Sequence, residues 1–402
     1  MRILLASNAS YDPPRGGSTR SNLAWLRRLA SAGHTCTVVA SSLTSERRIR
    51  LSEGISVHSV PSLSLHAGEL GKCIGETGPD WVLVSSEDLS HTLLREAARA
   101  APGRLVYLAH TPQFLPFGPE SWHPDPPAAE IVRHAAAVVV IGRHMASYVL
   151  THLGREAVVI HPPIYGGPPW PDLAGFDRKR VLMINPCAAK GVSIFLELAR
   201  RFSHVPFDAL RGWGTTPEDE AGLAALPNVT LLEHVPDIED VLARCSVLLM
   251  PSLWYEGFGL IVMEAMLRGI PVVASDSGGL LEAKQGTGYV IPVRPAQGYR
   301  MEFDAAHMPR PVLPPQDIEP WTAALRRLLE DEREYRAESG RSRAAALSFV
   351  STIDPDGLEK LLTALPRPAG AIPPSPRAEK PALDDARRAL LLMELRKRRR
   401  PQ

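Results

Sequence analysis

Two carboxylates, Glu256 and Glu264, stand with seven residues between them in the stretch LWYEGFGLIVMEAMLRGIPVVASDSGG, residues 253–279. A Gly-Phe-Gly turn follows the first, and an apolar run ending in a second glycine pair follows the other. Gly257 and Gly259, on either side of Phe258, let the backbone turn sharply and bring its N–H groups close to a ligand. A helix starting near Leu260 aims its unpaired amides at the same place, which makes a seat for an anion. Glu256 lies just before that seat. Glu264 is one turn into the helix, within reach of a neighbouring hydroxyl while the anion holds the terminus. A polyhydroxylated phosphate ester would satisfy both. The alternative is an ion pair of Glu264 with Arg268, four residues on. Against it, LIVMEAML is apolar almost all round and reads as a covered helix, where a carboxylate needs a partner.

The elements that must position these residues are legible as short apolar runs. VLLMPS and PVVAS, on either side of the helix, suit buried strands of a parallel sheet. Upstream, RILLAS, TCTVVAS, WVLVSS, RLVYLAH, AAVVVIG and EAVVIH alternate with helical patterns near Thr19 to Ala32 and Thr92 to Ala100. From Arg180 the rhythm restarts: RVLMIN, a helix across Ser193 to Phe202, PFDALRG, NVTLLE, then a helix across Ile238 to Arg244. Strands alternating with helices imply βαβ units. The expected fold class is therefore α/β, with two Rossmann-like, doubly wound parallel-sheet domains. The expected boundaries are 1–162 for the first domain and 163–177 for a Pro/Gly-rich linker. A second domain is expected over 178–345, a C-terminal helix returning to the first over 346–365, and a flexible basic tail over 366–402.

Composition narrows the class. A chain of 402 residues, 45% apolar and 22% charged, is long enough for two cores. The charge is uneven: +5 from Pro376 onward and −4 before it, so the body is not a nucleic-acid binder. Cys36, Cys73, Cys187 and Cys245 lie far apart with no C-x-x-C pair, which argues against zinc and a disulfide framework and suits a reduced cytoplasm. MRILLAS runs into polar residues, and no 18-residue apolar stretch occurs, so neither a signal peptide nor a membrane span is expected. In the tail, LDDARRALLLMELRKRRR reads as a cationic amphipathic segment on a Pro-rich spacer, suited to docking a partner protein or an anionic surface, with a solvated tail as the alternative.

Taken together, PS-x3-EGFGL-x3-EAM-x2-G-x-PVVAS-x2-GG and the element order over residues 1 to 365 resemble the family 4 glycosyltransferases, retaining enzymes of the GT-B fold. The resemblance implies two domains facing a cleft. It implies a nucleotide diphosphate sugar as co-substrate, no metal and no other cofactor. It places Glu256 on the donor sugar's hydroxyls, the backbone of Gly257 to Leu260 on its sugar and phosphates, and Glu264 on the ribose. Lys190, in INPCAAKG, matches the family's diphosphate lysine, and Gly191 with the following helix repeats the anion-seat pattern. Gly16 and Gly17, in YDPPRGGSTRSN, match its phosphate-approaching loop, though a tight turn explains a glycine pair as well. His110 ends RLVYLAH at the sheet's C-terminal edge, where open α/β sheets bind ligands, and the family often has a donor-sugar histidine there. The catalytic set is thus His110, Glu256 and Lys190.

One departure stands out: where the family usually carries an Arg before the diphosphate lysine, this chain has Asn185-Pro186. Asn cannot supply the bidentate fork of a guanidinium, and Arg211 in RGWGTT is the candidate substitute. Asp354-Pro355-Asp356, the chain's one Asp-x-Asp, reads as a turn. The acceptor is expected to be a small molecule or secondary metabolite, since the first half shows no hydrophobic or basic membrane face. Phe114, Phe117, Trp122 and His123 suit either ring stacking or loop packing, and Glu87 and Asp88 suit acceptor hydroxyls. Two rivals remain. A nicotinamide oxidoreductase lacks its G-x-G-x-x-G here. A non-catalytic sugar-nucleotide-binding subunit of a biosynthetic assembly is the other.

Overall fold

The computed structural model describes the chain except residues 12, 13, 15, 43, 45, 46, 62, 64–67, 236, 306, 307 and 367–402, and the side chain of residue 301. The expected docking segment of the tail lies outside the described residues. Two compact units divide the chain: Met1–Ile164 with Ile353 onward, and Tyr165–Thr352.

The first unit is built on an eight-stranded sheet of β1 (Arg2–Ser7), β2 (Thr35–Ser42), β3 (Arg48–Ser52), β4 (Ile55–Pro61), β5 (Trp81–Ser85), β6 (Leu105–Ala109), β7 (Ala137–Val140) and β8 (Val158–Val159). Their order is β3-β4-β2-β1-β5-β6-β7-β8. Every pairing is parallel except β3 with β4. β5, β6 and β7 are buried along their whole length, as continuous apolar runs in a covered parallel sheet must be. The helix Gly357–Ala364 packs on this unit: the Trp81 indole donates to the Leu362 carbonyl at 2.9 Å, and Arg28 pairs with Asp356 at 2.7 Å. Asp354 of the Asp-x-Asp accepts the Asp356 amide at 3.1 Å and pairs with Lys360 at 2.6 Å, which is the turn its sequence suggests.

The β3–β4 pair was not anticipated. RIRLS alternates arginine with aliphatic residues, and as an edge strand it leaves Ile49 and Leu51 72% and 76% exposed. Side chains alternate across a strand, so Arg48 and Arg50 take one side and the aliphatics the other.

The second unit holds β9 (Val181–Ile184), β10 (Phe207–Leu210), β11 (Val229–Leu232), β12 (Val247–Met250), β13 (Val272–Ser275) and β14 (Val290–Ile291), with a separate hairpin of β15 (Tyr299–Phe303) and β16 (Pro309–Pro311). The six-stranded sheet is parallel throughout, in the order β11-β10-β9-β12-β13-β14. That is the doubly wound order with its topological switch between β9 and β12, the place where such sheets bind ligands. The first unit has the corresponding switch between β1 and β5. Residues 165–175 hold no strand or helix and are tied to the second unit. Arg343 donates to the Trp170 and Pro171 carbonyls, and the Gly175 amide donates to the Tyr335 hydroxyl, each near 3 Å.

All four cysteines are buried and free of disulfides. Burial pushes the Cys187 and Cys245 thiols up to about 12, so they are inert packing groups. Among the described residues, no helix is long and apolar enough to cross a membrane.

Candidate active site

In the second unit the loops after β9 and β12 meet at the switch point. After β9, one tight turn over Ala188–Lys190 runs into Gly191, whose φ of 80° is left-handed, and then into the helix Val192–Arg201. After β12, Pro251 to Gly259 leads into the helix Leu260–Leu267, capped by Gly259 at φ 106°. The two loops are packed main chain to main chain. The Leu253 and Trp254 amides both donate to the Ala189 carbonyl, at 2.9 and 3.1 Å. A Cβ on Gly191 would fall inside the Pro251 carbonyl oxygen.

The second glycine pair now has its reason. Gly278, at φ 58°, sits so close that a Cβ would be 2.7 Å from the Glu256 amide nitrogen, and one on Gly279 would be 2.6 Å from the Phe258 Cα. The Gly279 amide donates to the Glu256 carbonyl at 2.7 Å. Glycines 278 and 279 thus form the wall against which the Glu256–Phe258 backbone is pressed.

That packing brings Lys190 and Glu256 together. The ammonium lies 2.5 Å from Glu256 Oε1, with side-chain exposures of 11% and 9%. Ser252 donates its hydroxyl to the same oxygen. The ammonium also stands 3.9 Å over the Trp254 ring, a cation–π contact. Neither the Leu260–Leu267 helix nor the Val192–Arg201 helix has a side-chain cap among the described residues; the Val192 amide donates to the Cys187 carbonyl at 3.1 Å and the Ile194 and Val262 amides to the Gly191 and Gly259 carbonyls at 3.0 Å, which leaves those of Ser193, Leu260 and Ile261 for a ligand or water.

Glu264 is 2% exposed on a helix buried from Val262 to Leu267, as its apolar surroundings suggest. Arg268 pairs its guanidinium with Glu239 and donates to the Glu264 main-chain carbonyl at 3.0 Å. Arg211 is committed elsewhere, to the carboxylates of Glu220 and Glu233. Asn185, at φ 58°, accepts the Gly214 amide on its Oδ1 at 2.8 Å.

The first unit brings its own group to the C-terminal edge of its sheet. Gly16, at φ 92°, precedes the helix Gly17–Ser31, and a Cβ there would meet nothing within 4 Å among the described residues. His110 is 5% exposed and its Nε2 lies 2.9 Å from Asn22 Oδ1. Asn22 turns its Nδ2 to Tyr11 and Ser85, at 2.7 and 2.8 Å, so its oxygen faces the imidazole and His110 carries its proton on Nε2. Nδ1 is then the acceptor, with no partner among the described residues. Burial lowers the His110 pKa, with the Glu87 charge opposing. Asn22 and Tyr11 were not singled out from the sequence, because nothing local marks an asparagine that sets a distant tautomer.

A pH prediction follows. Folding favours the neutral ring, so on acidification the unfolded chain binds this proton first. The contribution is complete above the ordinary value of 6.5 and is lost as pH falls below it toward the lowered folded value. Denaturant titrations below pH 6.5 should show a loss in the wild type that His110→Gln does not share; parallel curves would place the ring's proton differently.

Two further expectations separate. Glu87 keeps a buried Oε1 without a partner among the described residues, whereas Asp88 accepts from the Leu93 amide at 2.7 Å and from Ser90, and serves as a helix-start cap. Of the aromatic loop, Phe114 packs edge-on to Trp122 at 5.2 Å and His123 stacks on His91 at 5.4 Å. Phe117 and Trp122 are buried, so loop packing accounts for these rings.

Comparison with known proteins gives the family and the fold. Residues 15–165 match the family described as Glycosyltransferase Family 4, and residues 178–331 match Glycosyl transferases group 1. The chain belongs to the group 1, family 4 glycosyltransferases. Within this family it is 36% identical over 110 residues to the MMP alpha-(1->4)-mannosyltransferase of Mycolicibacterium hassiacum, covering 27% of this chain and 22% of that protein. It is 24% identical over 183 residues to alpha-1,3/1,6-mannosyltransferase alg-2 of Neurospora crassa, covering 44% and 34%. The matches therefore span about a third or less of these relatives' lengths. Anabaena HepE in complex with UDP and glucose superposes with a TM-score of 0.67 at 17% identity, over 91% of this chain and 100% of that one. WaaG, a glycosyltransferase involved in lipopolysaccharide biosynthesis, gives 0.63 at 15%, over 90% and 100%. The fold of this family member is GT-B.

Proposed function

We propose that this glycosyltransferase moves a sugar from a nucleotide diphosphate sugar to a small-molecule hydroxyl with retention at the anomeric carbon, without a metal. The observation that carries the reading is the Lys190 ammonium held by Glu256 over Trp254, at the switch point beside two uncapped helix starts. When the sugar–phosphate bond breaks, negative charge grows on the departing diphosphate. A fixed ammonium and oriented amides stabilise that charge without reorganising. Glu256, freed from Lys190 by the incoming phosphate, takes sugar hydroxyls, and Glu264 takes the ribose. His110 Nδ1 and Glu87 Oε1 are acceptors suited to sugar and acceptor hydroxyls, which supports an alcohol acceptor.

The test is incubation with a panel of nucleotide diphosphate sugars and alcohol acceptors in excess chelator. Release of nucleoside diphosphate and a product of unchanged anomeric configuration are expected. A manganese or magnesium requirement, or an inverted product, would overturn the mechanism; no release from any donor would favour a binding subunit. Glu264→Gln removes a charged acceptor and should weaken nucleoside diphosphate affinity by about 1.5–3 kcal/mol, roughly 10- to 100-fold, by calorimetry. Unchanged affinity in a folded variant would remove Glu264 from the site.

A further inference from the structure

Trp213 is anomalous: a large aromatic, 45% exposed, held by a turn built to present it. It follows β10 at the C-terminal edge of the second sheet, between Gly212 and Gly214. Asn185, from the end of β9, clamps that turn through the Gly214 amide, and a Cβ on Gly212 would lie 2.5 Å from the Asn185 Cβ. The Gly212 amide donates to Thr215 Oγ1 at 3.1 Å, closing the turn on itself. The backbone that carries Trp213 is therefore held in place. Its ring centroid is 5.6 Å from that of buried Trp254, tilted by 37°, and Trp254 carries Lys190 on its face. Cation, buried indole and exposed indole stand in series. Beside them, Asn185 Nδ2 is buried and has no partner among the described residues, the mark of a corner that awaits a polar ligand.

We infer that Trp213 is the stacking platform for the base of the nucleotide whose diphosphate Lys190 holds. The inference rests on the donor-site reading above and adds to it the group that grips the base. An exposed ring beside a phosphate site offers what every base can use, a π-face. Stacking of this kind tolerates base identity, because it reads no hydrogen-bond pattern. On this account Asn185, standing where the family usually has an arginine, fixes the turn that carries the aromatic. Donor affinity then comes from the base end more than from a second cation on the phosphates.

The experiment measures the dissociation constants of UDP, ADP, GDP and inorganic pyrophosphate for the wild type, Trp213→Ala and Trp213→Phe. The alanine variant should bind all three nucleotides about tenfold more weakly or worse. Pyrophosphate binding should stay unchanged, and the phenylalanine variant should recover most of the loss. Unchanged nucleotide affinity in Trp213→Ala would overturn the inference while leaving the donor site standing. An equal loss for pyrophosphate would also overturn it, showing that Trp213 only supports Trp254 and Lys190. A wild type that binds no nucleoside diphosphate would overturn both this inference and the function it rests on.

Discussion

Lys190→Met should lower turnover by about 10²–10³-fold, because it removes an ammonium placed to meet the charge of the departing diphosphate. Its second effect is on the fold. Lys190 and Glu256 are both largely buried and hydrogen-bonded to each other, so removing the lysine leaves a buried carboxylate that keeps the Ser252 hydroxyl as a donor. Breaking a buried pair from one side costs about 3–5 kcal/mol. The double variant Lys190→Met, Glu256→Gln separates the two effects. It should recover most of the stability and none of the turnover. If the double variant were as active as the wild type, the pair would be structural alone.

The second large effect is expected at Gly191. Its φ of 80° penalises any Cβ by roughly 1–2 kcal/mol, and the Pro251 carbonyl leaves no room for one. Alanine there must push the loops after β9 and β12 apart, stretching the two amide bonds to the Ala189 carbonyl. A total loss on the order of 3–4 kcal/mol is expected in urea unfolding. Gly286→Ala is the control: its φ is 74° with nothing within 4 Å of a Cβ, so it carries the conformational cost without the clash. Equal losses at the two positions would mean that the seat is not held by main-chain packing.

What the sequence showed and what it hid divide along a physical line. The strands that hold the seat are apolar runs closed by Pro, Ser or Asn, and the covered helix around Glu264 is apolar on every side, so both are local signals. The purpose of Gly278 and Gly279 is not local, because the backbone they press against lies some twenty residues earlier. The same holds for Asn22, whose partners are Tyr11, Ser85 and His110. Trp213 gave no signal, since an indole between two glycines reads alike whether its ring ends in the core or in solvent. Arg211 looked available because it ends a strand at the ligand edge, and its pairing with Glu220 and Glu233 depends on a helix and a strand folded beside it. The β3 edge strand was missed because its charged residues obscured the alternation.

The central claim is that the seat around Lys190 holds the donor's diphosphate. Calorimetric titration of nucleotide diphosphate sugars into the wild type and Lys190→Met, both in chelator, tests it most directly. The account predicts saturable binding of at least one donor to the wild type, and affinity at least tenfold weaker in the variant. Equal affinity in the two proteins, or no binding of any donor to the wild type, would contradict it.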